Sequence, residues 1–237
     1  MNKLPTDTSV NTDVVAFAYE IDLPWGGKAK YDLRMPVSED LKPEPSFQLP
    51  VTDEDAWVQT YSGGKFFPLN PAPESVKLAD IIGSLSNTCR FNGHCHPFYS
   101  VLEHCVHVAR QLPYKHRFYA FLHDASESYF IDVLSPYKKY LAQHRLVEDA
   151  IQAAIYKRYG MERFIDDMDL NARILEADLR MLTTEKQQVM LPTQPWPKLD
   201  ELKYPAYDLQ LDLLPPSVAL VTYTKEIHKW AAFAGVK

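Results

Sequence analysis

The chain is poor in cysteine, in long apolar runs and in basic charge, and each shortage removes a class of protein. Only Cys89, Cys95 and Cys105 occur among 237 residues; an odd count in a chain of this size argues against a disulfide framework and for a reducing compartment. No apolar stretch approaches the ~20 residues that span a bilayer. The opening Met1-Asn2-Lys3-Leu4-Pro5-Thr6 has neither an apolar h-region nor a small-residue cleavage site. A cytoplasmic protein without membrane contact is expected. The formal net charge of -6 gives no general attraction to nucleic acid, whose binding draws on Lys and Arg neutralising phosphates. A small anion needs a local basic pocket instead.

What is present divides in two. Residues 1 to about 71 are rich in proline and polar residues, with short alternating runs at Val14–Tyr19 and Tyr31–Met35. Trp57–Tyr61, Ser62-Gly63-Gly64 and Lys65–Phe67 read as a hairpin. From residue 72 to 237 the period is that of helices: Leu78, Ile81, Ile82 and Leu85 form one apolar stripe, and Leu220, Tyr223, Ile227, Trp230 and Ala234 another after Pro215-Pro216. A mainly α fold with an irregular, hairpin-bearing N-terminal extension is expected. Leu191 to Pro216 carries six prolines, but its Trp196, Leu199, Leu202 and Tyr204 are too apolar for a disordered linker, so an ordered connection or lid is expected.

Four side chains suggest a metal ion. Ser100-Val101-Leu102-Glu103 has the capping-box pattern that opens a helix; in it His104 shares the inward face with Val101, Cys105 and Val108, and His107 points outward with Glu103 and Arg110. Alone, His104 reads as an interior histidine that merely hydrogen-bonds. A helix over about 117–128 places His123, Asp124 and Glu127 on one patch beside its apolar face, although His123 and Asp124 also make sense as an ordinary hydrogen-bonded pair. In a third helix Asp178 lies on a stripe with Ile174, Leu175 and Leu182, where an uncompensated carboxylate costs several kcal/mol. Glu176 and Arg180 lie off that stripe and read as solvated. Two imidazoles and two carboxylates suit one divalent ion of Zn, Co, Mn, Fe or Ni, with positions left for water and a substrate oxygen.

The ordered series Arg90-Phe91, Tyr99-Ser100-Val101-Leu102-Glu103-His104, Leu122-His123-Asp124-Ala125-Ser126-Glu127, Asp132-Val133-Leu134-Ser135-Pro136-Tyr137-Lys138 and Glu176-Ala177-Asp178 resembles the motifs of HD-domain phosphohydrolases. The nearest likeness is to phage dATP triphosphohydrolases and bacterial 5′-deoxynucleotidases, over about residues 61–190. The resemblance implies an HD-type helical bundle in which His104, His123, Asp124 and Asp178 hold the ion. It further implies that Glu127 activates water, Asp132 assists proton transfer, and Arg90 and Lys138 contact phosphate. The Phe91 ring can pack against a sugar or base, and Phe98 or Tyr99 can line a base pocket, although either more often serves the core. A nucleotide substrate and a homo-oligomer are expected, in host cytoplasm if the gene is a phage's. Phosphoryl transfer asks mainly for charge neutralisation and positioning, which such a set supplies.

Departures refine the expectation. Two-metal HD enzymes use additional histidines between HD and the final Asp, and here only His144 intervenes, so one ion is expected. Deoxynucleotidases carry tryptophan where this chain has Phe91. Cys89, His94, Cys95 and His96 fit no paired metal-ligand spacing; the loop from Asn92 to Phe98 is expected to border the substrate pocket. A purine deoxynucleoside triphosphate is the leading substrate, with a deoxynucleoside monophosphate or a noncatalytic nucleotide-sensing module as alternatives.

Overall fold

The computed structural model describes residues 14–22, 28–36, 56–138, 140–191, 195–196, 199 and 204–236. By its internal contacts the chain forms two units, Met1–Gln48 and Leu49–Lys237. In the first, strands β1 (Val14–Asp22) and β2 (Lys28–Pro36) pair antiparallel, in a register running from Val14 opposite Pro36 to Asp22 opposite Lys28. The two alternating runs are therefore the cores of longer partner strands.

The second unit opens with the hairpin of β3 (Val58–Gln59) and β4 (Lys65–Phe66), whose turn uses Gly63 at φ 83°, a conformation open to glycine. This hairpin belongs with the helices rather than with the N-terminal extension, so the boundary expected near 71 lies at 48/49. The physical reason is Phe66, which is fully buried and stacks on Tyr129 with ring centroids 4.0 Å apart. The Ser62 amide also donates to the buried Asp80 in the first turn of the next helix.

Seven helices follow among the described residues: α1 (Leu78–Asn87), α2 (Val101–Arg110), α3 (Arg117–Phe121), α4 (Ser135–Lys138), α5 (Ala142–Arg158), α6 (Met168–Val189) and α7 (Pro216–Phe233). The mainly helical class is as expected. Helix α2 is central, packing against α1, α3, α6 and α7, and is buried on every side over Val101–Ala109. Its start matches the sequence pattern only in half: the Ser100 hydroxyl accepts from the Glu103 amide at 3.1 Å. The Glu103 carboxylate instead accepts from the Leu213 and Leu214 amides at 2.7 and 3.0 Å. His107, expected to face solvent, is buried because α7 and the approach to it cover that face.

Residues 204–214 form a strap ahead of α7, while 192–194, 197–198 and 200–203 of the connection expected over 191–216 lie outside the described residues. The Tyr207 amide donates to the buried Thr184, the Leu211 amide to Gln188, and Gln188 in turn donates to the Leu209 carbonyl. No helix among the described residues is long and apolar enough to cross a membrane. Truncating Phe66→Ala should cost about 3–5 kcal/mol of stability in urea unfolding, as for a core phenylalanine; a cost below ~1 kcal/mol would return the hairpin to a peripheral role.

Candidate metal centre

His104 lies in the middle of α2 with no exposed surface. Its Nδ1 donates to Glu185 Oε1 at 2.5 Å, which leaves Nε2 as the free ring nitrogen. That atom is buried and has no hydrogen-bond partner, although Asp178 Oδ1 stands 3.2 Å and Asp124 Oδ2 3.6 Å away.

His123 repeats the arrangement with a different anchor. A carbonyl can only accept, so His123 Nδ1 donates to the Ala120 carbonyl at 2.8 Å. Its Nε2 is likewise buried and unpartnered, 3.3 Å from Asp124 Oδ2. The helix expected over 117–128 changes type here. After α3 the chain tightens into a 3-10 run over Leu122–Ser128, with Asp124 at φ -108°, ψ 19°. Gln152 of α5 holds this run, donating to the Leu122 carbonyl at 2.6 Å and accepting from the Ser126 amide at 3.1 Å. The run is kinked at Asp124, whose φ/ψ are not helical, so Glu127 lies beyond the kink and is not placed by the regular period of one α-helix.

Asp178 comes from α6, but not from its buried stripe. That stripe runs through Leu170, Ile174, Ala177, Met181, Thr184 and Glu185, while Leu175 is exposed and the Asp178 side chain keeps 32% of its surface. The desolvation argument therefore falls on Glu185, which the sequence reading missed. Glu185 lies two turns after Asp178 and four residues after Met181, so a carboxylate on the apolar stripe was there to be seen.

Glu185 is shared between His104 and Arg90, whose Nη2 donates to Glu185 Oε2 at 2.9 Å. Arg90 Nη1 lies 3.8 Å from Asp124 Oδ2, and its Nε is buried without a partner. The arginine is stitched to the start of α2, since its amide donates to the Tyr99 carbonyl and the Val101 amide to the Thr88 carbonyl, each at 2.9 Å. Phe91, Asn92 and Gly93 then turn the chain with φ of 55°, 53° and 81°. Phe91 sets its ring edge-on to Trp196 at 6.0 Å.

The remaining expected residues divide. The Lys138 ammonium is 3.6 Å from Asp132 and 3.0 Å from Glu148, so it is engaged within the chain. Tyr99 is fully buried, which takes it out of a substrate's reach; its phenol is held neutral by burial and by Glu185 nearby. His94 and His96 are exposed, and Cys89 Sγ and Cys95 Sγ meet at 3.4 Å as free thiols. Among the described residues neither group of three or more clustered ligand atoms includes them. His144 donates to the Ile131 carbonyl at 2.8 Å and joins neither group.

The electrostatics match the geometry. Burial alone would raise the Glu185 carboxyl, but Arg90 and His104 bring it down to about 2. Burial likewise opposes ionisation of Asp124, and His123, His104 and Arg90 outweigh it, holding the carboxyl well below its usual range. Glu127 goes the other way: burial, then Asp124 and Asp132, push it up, and its Oε2 has no partner. Burial and Arg90 lower the His104 imidazole, but Glu185 and Asp178 raise it to about 9.

Ligand atoms of His104, His123 and Asp124 lie within 4.8 Å of one another, and Asp178 Oδ1 adjoins them. Atoms bound to one ion at ~2.0–2.2 Å sit about 3.0–3.5 Å apart, close to the 3.2, 3.3 and 3.6 Å separations found. Two fixed tautomers presenting orphaned nitrogens beside carboxylates fit a divalent ion. A proton competes for the same nitrogen of His104. Ion affinity should therefore rise with pH up to about 9 and fall about tenfold per unit below it, as read by competition with a chelator; a flat profile between pH 6 and 8 would contradict this. Glu185→Gln should weaken ion binding about 10–100-fold, the usual loss for the carboxylate behind a ligating histidine.

No family model matches the chain. It is 34% identical over 146 residues to the uncharacterized protein YfdR of Escherichia coli strain K12, covering 61% of this chain and 79% of YfdR. It is 28% identical over 191 residues to an uncharacterized protein of Rhodobacter capsulatus, covering 73% of this chain and 94% of that one. With more than a third of the residues shared over most of YfdR, the chain belongs to the YfdR family.

Proposed function

We propose that the protein is a metal-dependent phosphohydrolase of the HD-domain type, acting on a purine deoxynucleotide, with dATP or another purine deoxynucleoside triphosphate as the leading substrate. The observation that carries the reading is the pair of buried, unpartnered Nε2 atoms of His104 and His123, aimed at Asp124 and Asp178. A purely structural histidine pair leaves no such nitrogens bare at the desolvation cost of ~1–3 kcal/mol each.

A divalent ion held there supplies Lewis-acid neutralisation of phosphate charge and a lowered pKa for water. Glu127, pushed up by burial and by the neighbouring charges of Asp124 and Asp132, would take the proton of that water. The water oxygen forms a bond to the α-phosphorus, the bond from phosphorus to the 5′ oxygen breaks, and the departing oxygen takes a proton. Deoxynucleoside and triphosphate result. Asp132, exposed and 3.6 Å from Lys138, is the residue that assists proton transfer on the open side in this reading. Arg90 presents its fork to phosphate oxygens while Glu185 holds its other edge. Phe91, with Trp196 beside it, offers an aromatic edge to the sugar or base.

Incubation with Co²⁺, Mn²⁺ or Zn²⁺ and a panel of ribo- and deoxynucleoside mono-, di- and triphosphates tests the reading. Deoxynucleoside plus intact triphosphate is expected; orthophosphate from monophosphates alone would favour a 5′-deoxynucleotidase. Inactivity across the panel with an ion bound would favour the noncatalytic nucleotide-sensing module instead. Glu127→Gln should lower turnover about 10²–10⁴-fold with ion content unchanged. Loss of the ion in that variant would instead make Glu127 a ligand.

A further inference from the structure

A second cluster lies on the other side of α2. Glu103 and His107 of that helix meet Asp212 of the strap, and ligand atoms of the three lie within 4.8 Å of one another. His107 Nε2 is 3.6 Å from Glu103 Oε1 and 3.8 Å from Asp212 Oδ2. The His107 side chain keeps only 5% of its surface, and this nitrogen has no hydrogen-bond partner. Both separations exceed the 2.7–3.2 Å of a direct hydrogen bond and leave room for an atom between the three groups.

Charge points the same way. The Glu103 carboxylate is fully buried; each of its oxygens accepts one amide, Oε1 from Leu213 and Oε2 from Leu214, and among the described residues its ion-pair partner is His107 at 3.6 Å. Asp212 Oδ2 accepts from the Tyr223 hydroxyl at 2.6 Å and lies 3.7 Å from Arg110. That arginine spends its fork on Glu226, with contacts of 2.8 and 3.2 Å. Arg110 is thus shared by Asp212 and Glu226, while Glu103 is a buried carboxylate whose described basic neighbour is His107 at 3.6 Å, and a buried charge is costly unless a cation offsets it. Asp212 is exposed and provides the entry path and an open position for water.

We infer that Glu103, His107 and Asp212 form a second divalent-cation site, one imidazole and two carboxylates of the kind that takes zinc or cobalt. It shares no side chain with the His104 centre and does not depend on the activity proposed there. Its effect is structural: the ion ties the strap, whose Leu213 sits in the left-handed region at φ 54°, to the central helix. The motif series that points to the first centre passes through Glu103 and His107 without using them.

Chelator-stripped full-length protein titrated with Co²⁺, followed by absorbance and calorimetry, decides the matter. The wild type should take two equivalents, His123→Ala one, and Asp212→Asn one. The asparagine keeps an oxygen for Tyr223 at an exposed position, so folding survives. In the His123→Ala background, adding Asp212→Asn or His107→Ala should weaken the remaining site at least about tenfold. It should also abolish the rise in thermal midpoint that Zn²⁺ gives. One equivalent in the wild type, untouched by Asp212→Asn, would overturn the site. One equivalent removed by Asp212→Asn would uphold it while the His104 centre fails.

Discussion

The buried carboxylate of Glu185 is the interaction on which the centre depends. It accepts from His104 and from Arg90 at once, so the imidazole tautomer and the guanidinium orientation are set by one side chain. An ionised carboxylate without surface is tolerated only when paired and hydrogen-bonded, and here both partners are charged or can become so. Breaking either contact strands the other. Arg90 and His104 sit on different segments, joined near the start of α2 by short backbone hydrogen bonds. Glu185 closes that arrangement from α6, and Asp178 rides on the same helix two turns earlier.

Much of this was legible in the residues, for identifiable reasons. The helical period from Leu78 onward is a property of apolar spacing, and it survives in α1 and α7. His104, His123 and Asp124 were visible as a group because each has an ordinary use alone but not together, whereas Asp178 was reached through an apolar stripe on which it does not lie. What failed did so where tertiary contacts override local pattern. Gln152 competes for the Leu122 carbonyl and the Ser126 amide, converting an expected α-helix into a tighter run; nothing near 122 announces a glutamine thirty residues away. His107 looked solvent-facing because a helix in the middle of a bundle has no outside, and periodicity assumes one.

The Glu103 side chain shows the same limit in another form. The capping-box pattern predicted a local use for its carboxylate, yet two amides from residues 213 and 214 claim it. A buried acid can serve partners over a hundred positions distant, and local rules rank only the near ones. That long-range hold, repeated by Thr184 and Gln188, fixes residues 207–214 ahead of α7.

The central claim is that an ion binds between His104, His123, Asp124 and Asp178. Diffraction from crystals soaked in Mn²⁺ or Co²⁺, recorded at the absorption edge of the metal, tests it most directly. The account predicts an anomalous peak about 2.0–2.3 Å from both orphaned Nε2 atoms and from one oxygen of each aspartate. No peak there at saturating ion, with the four side chains ordered as described, would contradict it.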